Sequence, residues 1–535
     1  MYSEAFRAYI SHITGSGPLS GRKTDMAINV YTPGCYLLCH DDVIGSRRVS
    51  YILYLTDPDT PWQAQWGGAL RLFPTTDRDG KDGETAKTPS PDTVKTIPPA
   101  WNQLSFFAVQ PGESFHDVEE VYHAASPEQL AQEGGRVRMA ISGWFHIPQL
   151  GEDGYVAGAE EAQLRNSSLA QLQGNPDQHD APLAAAVAVD KAGSQGSQGS
   201  SGSQEFDEAD LEFLLKYIAP TYLTPDTLLG MADHFEENSS ITLPDVLNRA
   251  FAARLRDYIT KEEAAALPEA SAAIEKSTGW KVARPPHKHR FLYQTQSDGE
   301  ADSPLRELLD VFLPSRQFRI WLEMATASVI ESHDFVARRF RRGKDYTLAT
   351  GHDGKPRLEI NLGLTPTAGW GDDDGDDDGD EEDEQGIKKG KANGKGKEGA
   401  APAAASSSKK EDKPDDDDAA EVGGHEVYMA GDEDGVEDAA VYGSGGDADD
   451  NILFFQAAAW NKMTLVLRDS GALRFVKYVS RRAPGDRWDV SGVFEIEEPP
   501  EGDEEEDGDG NGVALGESSE EEFKGFSSSE DSDSD

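Results

Sequence analysis

Residues 39–42 read Cys39-His40-Asp41-Asp42, and Phe115-His116 follows far downstream. On a strand, side chains two residues apart share a face, so His40 and Asp42 point together into one cavity while Asp41 points away. His116, on a facing strand, completes a set of two neutral imidazoles and one carboxylate. That donor set suits a non-haem Fe(II) centre: it caps one face of the ion and leaves three positions for other ligands. A His-x-Asp triplet alone is common as plain surface charge. Here it ends the apolar stretch 35–39 and precedes residues 49–55, a strong strand signal, while His116 lies between strand-like runs at 104–109 and 137–145.

The elements that must position these residues recur later in the chain. Trp101-Asn102 followed by Gln-Leu-Ser-Phe-Phe reappears as Trp460-Asn461 followed by Lys-Met-Thr-Leu-Val. Phe115-His116 reappears as Phe475-Val476, and Arg138 with Ser142-Gly143 reappears as Arg487 with Ser491-Gly492. Ordered matches at similar spacing argue for a duplicated domain. In the copy, Val476 stands where the distal histidine was, and Gly354 supplies no carboxylate two residues after His352. The copy is therefore expected to hold no metal, which leaves Arg487 a structural role. Between the halves, stretches at 207–217, 243–258 and 303–312 carry apolar residues at spacings of three and four and suggest helices.

Composition bounds the rest. The chain has 535 residues and a formal net charge of −49, long enough for two or three domains. The charge is uneven: residues 1–150 carry 12 Lys and Arg against 17 Asp and Glu, residues 371–421 carry 8 against 19, and residues 497–535 carry 1 against 17. These last two segments have few aromatics and are expected to be disordered. They could solubilise the chain or attract a basic partner electrostatically. Acidity of this sign disfavours direct nucleic-acid binding. No apolar run reaches membrane-spanning length and no signal peptide opens the chain, so no membrane partner and an intracellular protein are expected. The two cysteines, Cys35 and Cys39, read as reduced core residues.

The run 39–42 with Arg47-Arg48 and residues 51–55, then Gly67-Gly68 with Leu70 and Leu72, Trp101-Asn102, Phe115-His116 and residues 142–146 resembles the eukaryotic ribosomal prolyl 3-hydroxylases, of the termination and polyadenylation protein type. The resemblance implies a mainly β fold with helices (α+β): two double-stranded β-helix (jelly-roll) domains, the second a degenerate, non-catalytic copy. It implies residues 1–150 as the 2-oxoglutarate/Fe(II) oxygenase domain, N-terminally incomplete relative to the family, so that an unpaired sheet edge and exposed apolar surface are expected. Residues 151–206 are then a flexible linker, and residues 207–498 the second domain with its helical lead-in. That domain is interrupted by the insert 371–421, and 499–535 is an acidic tail.

By the same resemblance His40, Asp42 and His116 are the Fe(2+) ligands and the catalytic residues. Arg138 binds the distal carboxylate of 2-oxoglutarate, a task for which a guanidinium is suited by its two parallel charge-assisted hydrogen bonds. Tyr31, nine residues before His40, either adds a hydroxyl to that carboxylate or is an ordinary core tyrosine. Arg136 lies on the same strand face as Arg138 and competes for the role, but only Arg138 has the family's spacing to Ser142-Gly143; Ala140 departs from the serine common there. O2 is the second co-substrate and L-ascorbate the accessory reductant. The implied target is a basic small-subunit ribosomal protein at the decoding centre, with translation termination factors as further partners, in the nucleus or cytoplasm. Two other readings stay open: an oxygenase with a different substrate, and a non-catalytic interaction protein of the translation machinery.

Overall fold

A computed structural model describes residues 1–79, 85–164, 167–168, 179–189, 206–297, 302–352, 354–370, 422–430 and 452–497. The Ser- and Gly-rich run 193–204, the insert 371–421 and the tail 499–535 lie outside the described residues. The fold is mostly sheet with helices. No described helix is long and apolar enough to cross a membrane.

The first half is built from β1 (Thr24–Tyr31), β2 (Leu37–His40), β3 (Arg47–Tyr54), β4 (Leu70–Leu72), β5 (Thr75–Asp79), β6 (Thr85–Pro89), β7 (Lys95–Ile97), β8 (Leu104–Ala108), β9 (His116–Val118) and β10 (Arg138–His146). Two four-stranded sheets result, β1-β10-β3-β8 and β2-β9-β4-β7, with β5-β6 a separate hairpin. Their inner faces meet where Ile52, Tyr54 and Ala140 pack on Leu70. The helix Glu4–Thr14, capped by the Ser3 side chain and closed by left-handed Gly15, covers the outer face by packing Ile10 on Val49, Tyr51 and Phe145. Among the described residues strand β1 pairs with β10 alone, and its Met26, Ile28 and Val30 are 56%, 72% and 53% exposed. The sheet thus has an unpaired apolar edge of the kind most folds cover or charge.

The second half comprises β11 (Val187–Ala188), β12 (Ser240–Pro244), β13 (Lys281–Val282), β14 (His289–Arg290), β15 (Leu292–Thr295), β16 (Ile330–Phe340), β17 (Tyr346–Thr347), β18 (Arg357–Leu364), β19 (Glu426–Ala430), β20 (Ile452–Gln456), β21 (Trp460–Arg468), β22 (Ala472–Val476) and β23 (Arg487–Ile496). Its large sheet runs β12-β21-β18-β23-β16-β15-β13, and its small one β20-β19-β22. Within these, β16-β23-β18-β21 has the neighbour order of β1-β10-β3-β8, and β22-β19-β20 that of β9-β4-β7. Backbone details recur too. Asn102 and Asn461 both adopt left-handed φ, 56° and 54°, and the pairs Gly67-Gly68 and Gly423-Gly424 all have φ between 64° and 74°. A Cβ on Gly67 would lie 2.0 Å from the Glu120 carbonyl oxygen, and one on Gly423 1.9 Å from that of Tyr478. Only glycine fits at either place.

The helical lead-in covers the outer face of the large sheet, and Leu228, Phe235, Phe251, Leu255 and Trp321 share one core with Phe335, Ile360, Leu465 and Val490. Helix Arg249–Ala264 starts later than its apolar pattern suggests. Residues 240–244 pair with β21, and the Asn248 side chain accepts from the Ala250 amide to begin the helix. In the expected linker, the described residues are anchored: Gln163 donates to the Arg47 carbonyl, β11 pairs with β16, and Lys288 bridges to Asp180 at 2.8 Å.

Inside the second half, Glu359 and Glu426 are fully buried. Glu359 accepts from Arg468 at 2.9 Å and Arg474 at 2.8 Å; Glu426 accepts from Arg338 and Arg474. Burial raises the Glu359 carboxyl, but Arg474, Arg468 and Arg357 outweigh it and bring the pKa down to about 2. A carboxylate depressed from its ordinary value near 4.5 contributes stability in full above that value and loses it as the pH falls towards 2, here on the order of 3 kcal/mol. The melting temperature of the chain should therefore hold steady above pH 5 and fall steeply below about 4. Calorimetry on Glu359→Gln should show a lower melting point at pH 7 and a flatter acid limb; a variant as acid-sensitive as the wild type would contradict the assignment.

Candidate functional site

His40 ends β2, and His116 opens β9, directly opposite it in the register. Their rings lie 4.3 Å apart between centroids. Each ring is aimed by the backbone: the Nδ1 of His40 is 2.7 Å from the Leu38 carbonyl, and that of His116 is 2.8 Å from the Ser114 carbonyl. A carbonyl can only accept, so both Nδ1 atoms carry the proton and both Nε2 lone pairs face the cavity. Asp42 completes the set, with its two carboxylate oxygens 3.3 Å from His40 Nε2 and 3.5 Å from His116 Nε2. Among the described residues this is the group of three whose ligand atoms fall within 4.8 Å of one another.

The route by which Asp42 arrives differs from the strand-face expectation. β2 stops at His40, and Asp42 sits in a left-handed turn with φ 62°, a conformation aspartate tolerates better than most residues. Burial raises its carboxyl, but the neighbouring His116 and His40, with a hydrogen bond from Ser50, hold it well below the usual carboxylate range. Trp144 Nε1 donates to Asp42 Oδ2 at 3.2 Å. Trp144 belongs to the 142–146 motif, yet its spacing carried no hint of a ligand-orienting role. Burial lowers the His116 pKa, with His40 adding to it, whereas contacts with Asp42 raise that of His40 against its own burial.

Asp41 does not simply point to solvent. It is 1% exposed and accepts from the Ser168 amide and hydroxyl at 2.9 and 2.8 Å and from the Gly112 amide at 3.3 Å. Its own carbonyl accepts from the Ser114 hydroxyl at 2.7 Å. Asp41 thereby ties together the turns that flank both histidines.

Arg138, on β10 and 2% exposed, donates from Nε to the Gly68 carbonyl at 2.6 Å. A Cβ on Gly68 would crowd its Cδ at 3.0 Å. The guanidinium lies over the rings of Tyr31 at 4.8 Å and Tyr54 at 5.1 Å, and its buried Nη2 makes no hydrogen bond of good geometry. Burial raises the pKa of the Tyr31 hydroxyl, and the Arg138 guanidinium opposes the rise. Arg136 is elsewhere. Its φ is 48°, and it is spent on Glu133 and the carbonyls of Tyr122 and His123. The structure therefore gathers His40, Asp42 and His116 with Trp144 against Asp42, sets Arg138 against Tyr31, Tyr54 and the Gly68 carbonyl, and leaves Arg136 aside. The fit to a divalent metal plus a carboxylate ligand is good: three convergent donors with fixed tautomers, and beside them a buried cation with an unmatched donor.

The second half has an arginine in a comparable strand position but in a different state. Arg487 likewise donates to a glycine carbonyl, that of Gly424, but its remaining donors meet Asp489, at 3.0 Å from Nε and 2.9 Å from Nη2. Val476 is not the counterpart of His116: with Gly423-Gly424 set on Gly67-Gly68, Glu426 pairs with Val476 as Leu70 pairs with Val118, and Arg474, bridged to Thr350, stands where His116 faces His40.

Comparison with known proteins agrees with this chemistry. Residues 209–503 match the family described as oxoglutarate and iron-dependent oxygenase degradation C-term, and residues 26–146 match the 2OG-Fe(II) oxygenase superfamily. The chain is 34% identical to prolyl 3,4-dihydroxylase OGFOD1 of Ostreococcus tauri, over 69% of this chain and 66% of that protein. It is 28% identical to prolyl 3-hydroxylase OGFOD1 of Mus musculus, over 58% of this chain and 42% of that protein. The chain thus spans less than two thirds of either relative.

Asp41 yields a test that separates scaffold from ligand. Asp41→Ala should lower the unfolding free energy by roughly 2–4 kcal/mol, the range for stripping charge-assisted hydrogen bonds from buried partners. Denaturant titration of the metal-free protein measures it. A loss below about 1 kcal/mol would show that the turns hold without it.

Proposed function

The chain belongs to the oxoglutarate and iron-dependent oxygenase family, and on that premise we propose that it is an Fe(II)- and 2-oxoglutarate-dependent peptidyl-proline 3-hydroxylase. In this reading His40, Asp42 and His116 hold the metal, Arg138 takes the far carboxylate of 2-oxoglutarate, and Tyr31 adds a hydroxyl there. The observation that carries it is the pairing of a three-donor face with the unmatched Nη2 of buried Arg138. Iron and 2-oxoglutarate, when bound, supply an oxidation by O2 that couples decarboxylation to hydroxylation of a prolyl carbon, with L-ascorbate keeping the metal reduced. The chain's own residues bind and orient. The Leu38 and Ser114 carbonyls fix the imidazole tautomers, Trp144 fixes the Asp42 carboxylate, and the Gly68 carbonyl fixes the guanidinium, so no reorganisation is left for the reaction itself.

The substrate we infer is a prolyl residue of a basic small-subunit ribosomal protein at the decoding centre, with translation termination factors as further partners, in the nucleus or cytoplasm. The relatives' names support a prolyl substrate. The acidity of 371–421 and 497–535 complements a basic protein and opposes nucleic acid. We further infer that residues 1–150 carry the chemistry and that 207–498 is a degenerate double-stranded β-helix. The shared strand order, Arg474 opposite Thr350 where His116 lies opposite His40, and an Arg487 whose donors meet Asp489 support that assignment.

His40→Ala, Asp42→Ala and His116→Ala should each abolish 2-oxoglutarate turnover, and with it hydroxylation of the ribosomal protein followed by mass spectrometry. Arg138→Ala should instead raise the 2-oxoglutarate requirement about 10–100-fold, since it forfeits charge-assisted hydrogen bonds to a carboxylate. Turnover surviving in any of the three ligand variants would refute the metal assignment. A larger effect from Arg136→Ala than from Arg138→Ala would refute the co-substrate assignment.

One specific metal per chain is expected, and none in full-length His116→Ala, as equilibrium dialysis with Mn(II) would show. A full equivalent retained when His40, Asp42 and His116 are all replaced by Ala would place a site outside these three residues.

A further inference from the structure

The strand that delivers His40 is irregular just before it. β2 and β9 pair Leu37 with Val118 and His40 with His116, so three steps along β2 oppose two along β9. This is a bulge, which bends the strand, re-aims the next side chain and leaves an amide without its ladder partner. The amide of Cys39, inside the bulge, donates instead to the Tyr346 hydroxyl at 3.4 Å. Tyr346 is on β17, in the second half. Its own hydroxyl proton goes to the Pro286 carbonyl at 2.7 Å, which turns an oxygen lone pair towards Cys39, and the side chain is 3% exposed.

His116 is backed in a parallel way. Side chains alternate across a strand, so the residue preceding each imidazole faces out of the cavity. Phe115, 1% exposed, stacks on His287 of the second half at 4.7 Å and 23°. Cys39 and Phe115 share a small core with Phe73. Further along, Tyr36 packs on Tyr478 at 4.3 Å. Glu120, 1% exposed, accepts from the Ser480 hydroxyl at 2.6 Å, the Arg481 amide at 2.8 Å and the Tyr478 hydroxyl at 3.3 Å. The Glu120 carbonyl in turn receives the Gly68 amide at 3.1 Å, next to the carbonyl that holds Arg138.

We propose that Tyr346 is a positioning residue for the metal site: by accepting the amide hydrogen that the bulge frees at Cys39, it fixes the direction in which His40 presents its Nε2, with His287 backing His116 through Phe115. The inference rests on the reading of His40, Asp42 and His116 as metal ligands. It gives the second half a task in the first half's chemistry without any ligand of its own. A partner that orients a ligand without touching the metal is typically worth about 10–100-fold in metal affinity. Tyr346 acts one residue away from the imidazole, so the lower end is expected.

The test uses the full chain with Co(II) as a spectroscopic probe. Tyr346→Phe removes one oxygen and keeps the ring. Tyr222→Phe, whose hydroxyl donates to Pro244 in the second half, is the control for losing a tyrosine hydrogen bond. Tyr346→Phe should weaken Co(II) binding about tenfold and shift the d–d bands, whereas Tyr222→Phe should change neither. His287→Ala, which withdraws the ring from Phe115 and leaves Tyr346 in place, should also weaken Co(II) binding and provides an independent arm should Tyr346→Phe fail to fold. Wild-type affinity and bands in both Tyr346→Phe and His287→Ala would overturn the inference while leaving the ligand assignment standing. A wild-type chain that takes up no Co(II) would overturn the ligand assignment, and the inference with it.

Discussion

Three donor atoms from distant parts of the chain must meet on one face of a small cavity without a neighbouring proton in the way. An imidazole ligates only through a nitrogen that carries no hydrogen, so each ring needs an acceptor on its far side. Both histidines use the carbonyl two residues upstream, a local solution that fixes tautomer and direction together. It works only while the strand ends carrying those carbonyls are held, and much of the surrounding structure does that holding: Asp41 across the two turns, the Gly67-Gly68 pair beneath Arg138, and the second half behind β2 and β9.

The two halves share a strand order but fill the inner face in opposite ways. In the first, carboxylate, imidazole and guanidinium are kept apart from full mutual neutralisation, and a buried donor of Arg138 is left over. In the second, Arg338, Arg468, Arg474 and Arg487 meet Glu359, Glu426 and Asp489 in a closed network. A buried ion pair gains little net stability over an apolar core, but leaving one of its members alone is costly. Such a network therefore resists piecemeal change.

That His40, Asp42 and His116 come together was legible in the sequence because His40 and His116 are unusual residues to find against apolar strand runs, and Arg138 stood out by its spacing to Ser142-Gly143. The proposed duplication rests in the sequence on Trp101-Asn102 and Trp460-Asn461, whose asparagines share a left-handed backbone. What spacing could not convey is the path of the chain between elements. Asp42 reaches the site through a turn, and Asp41 is a buried hub because Ser168 returns to it from far along the chain. Arg136 looks equivalent to Arg138 on an alternating pattern, yet it lies before β10 begins and is absorbed by Glu133. The contacts of Tyr346 and His287 with the first half are equally silent, since packing between distant segments leaves no periodic trace.

The dependence of β2 and β9 on residues 287, 346 and 478–481 also sets an order in time. A ribosome adding about 5–20 residues per second makes Arg481 on the order of 20–70 s after Glu120. Pairings between positions so distant in sequence are slow to close for reasons of chain entropy alone. During synthesis, then, the sheet bearing both histidines waits on the order of 20–70 s for the second-half residues that Cys39, Phe115 and Glu120 meet. The part of the molecule made early is the part finished last.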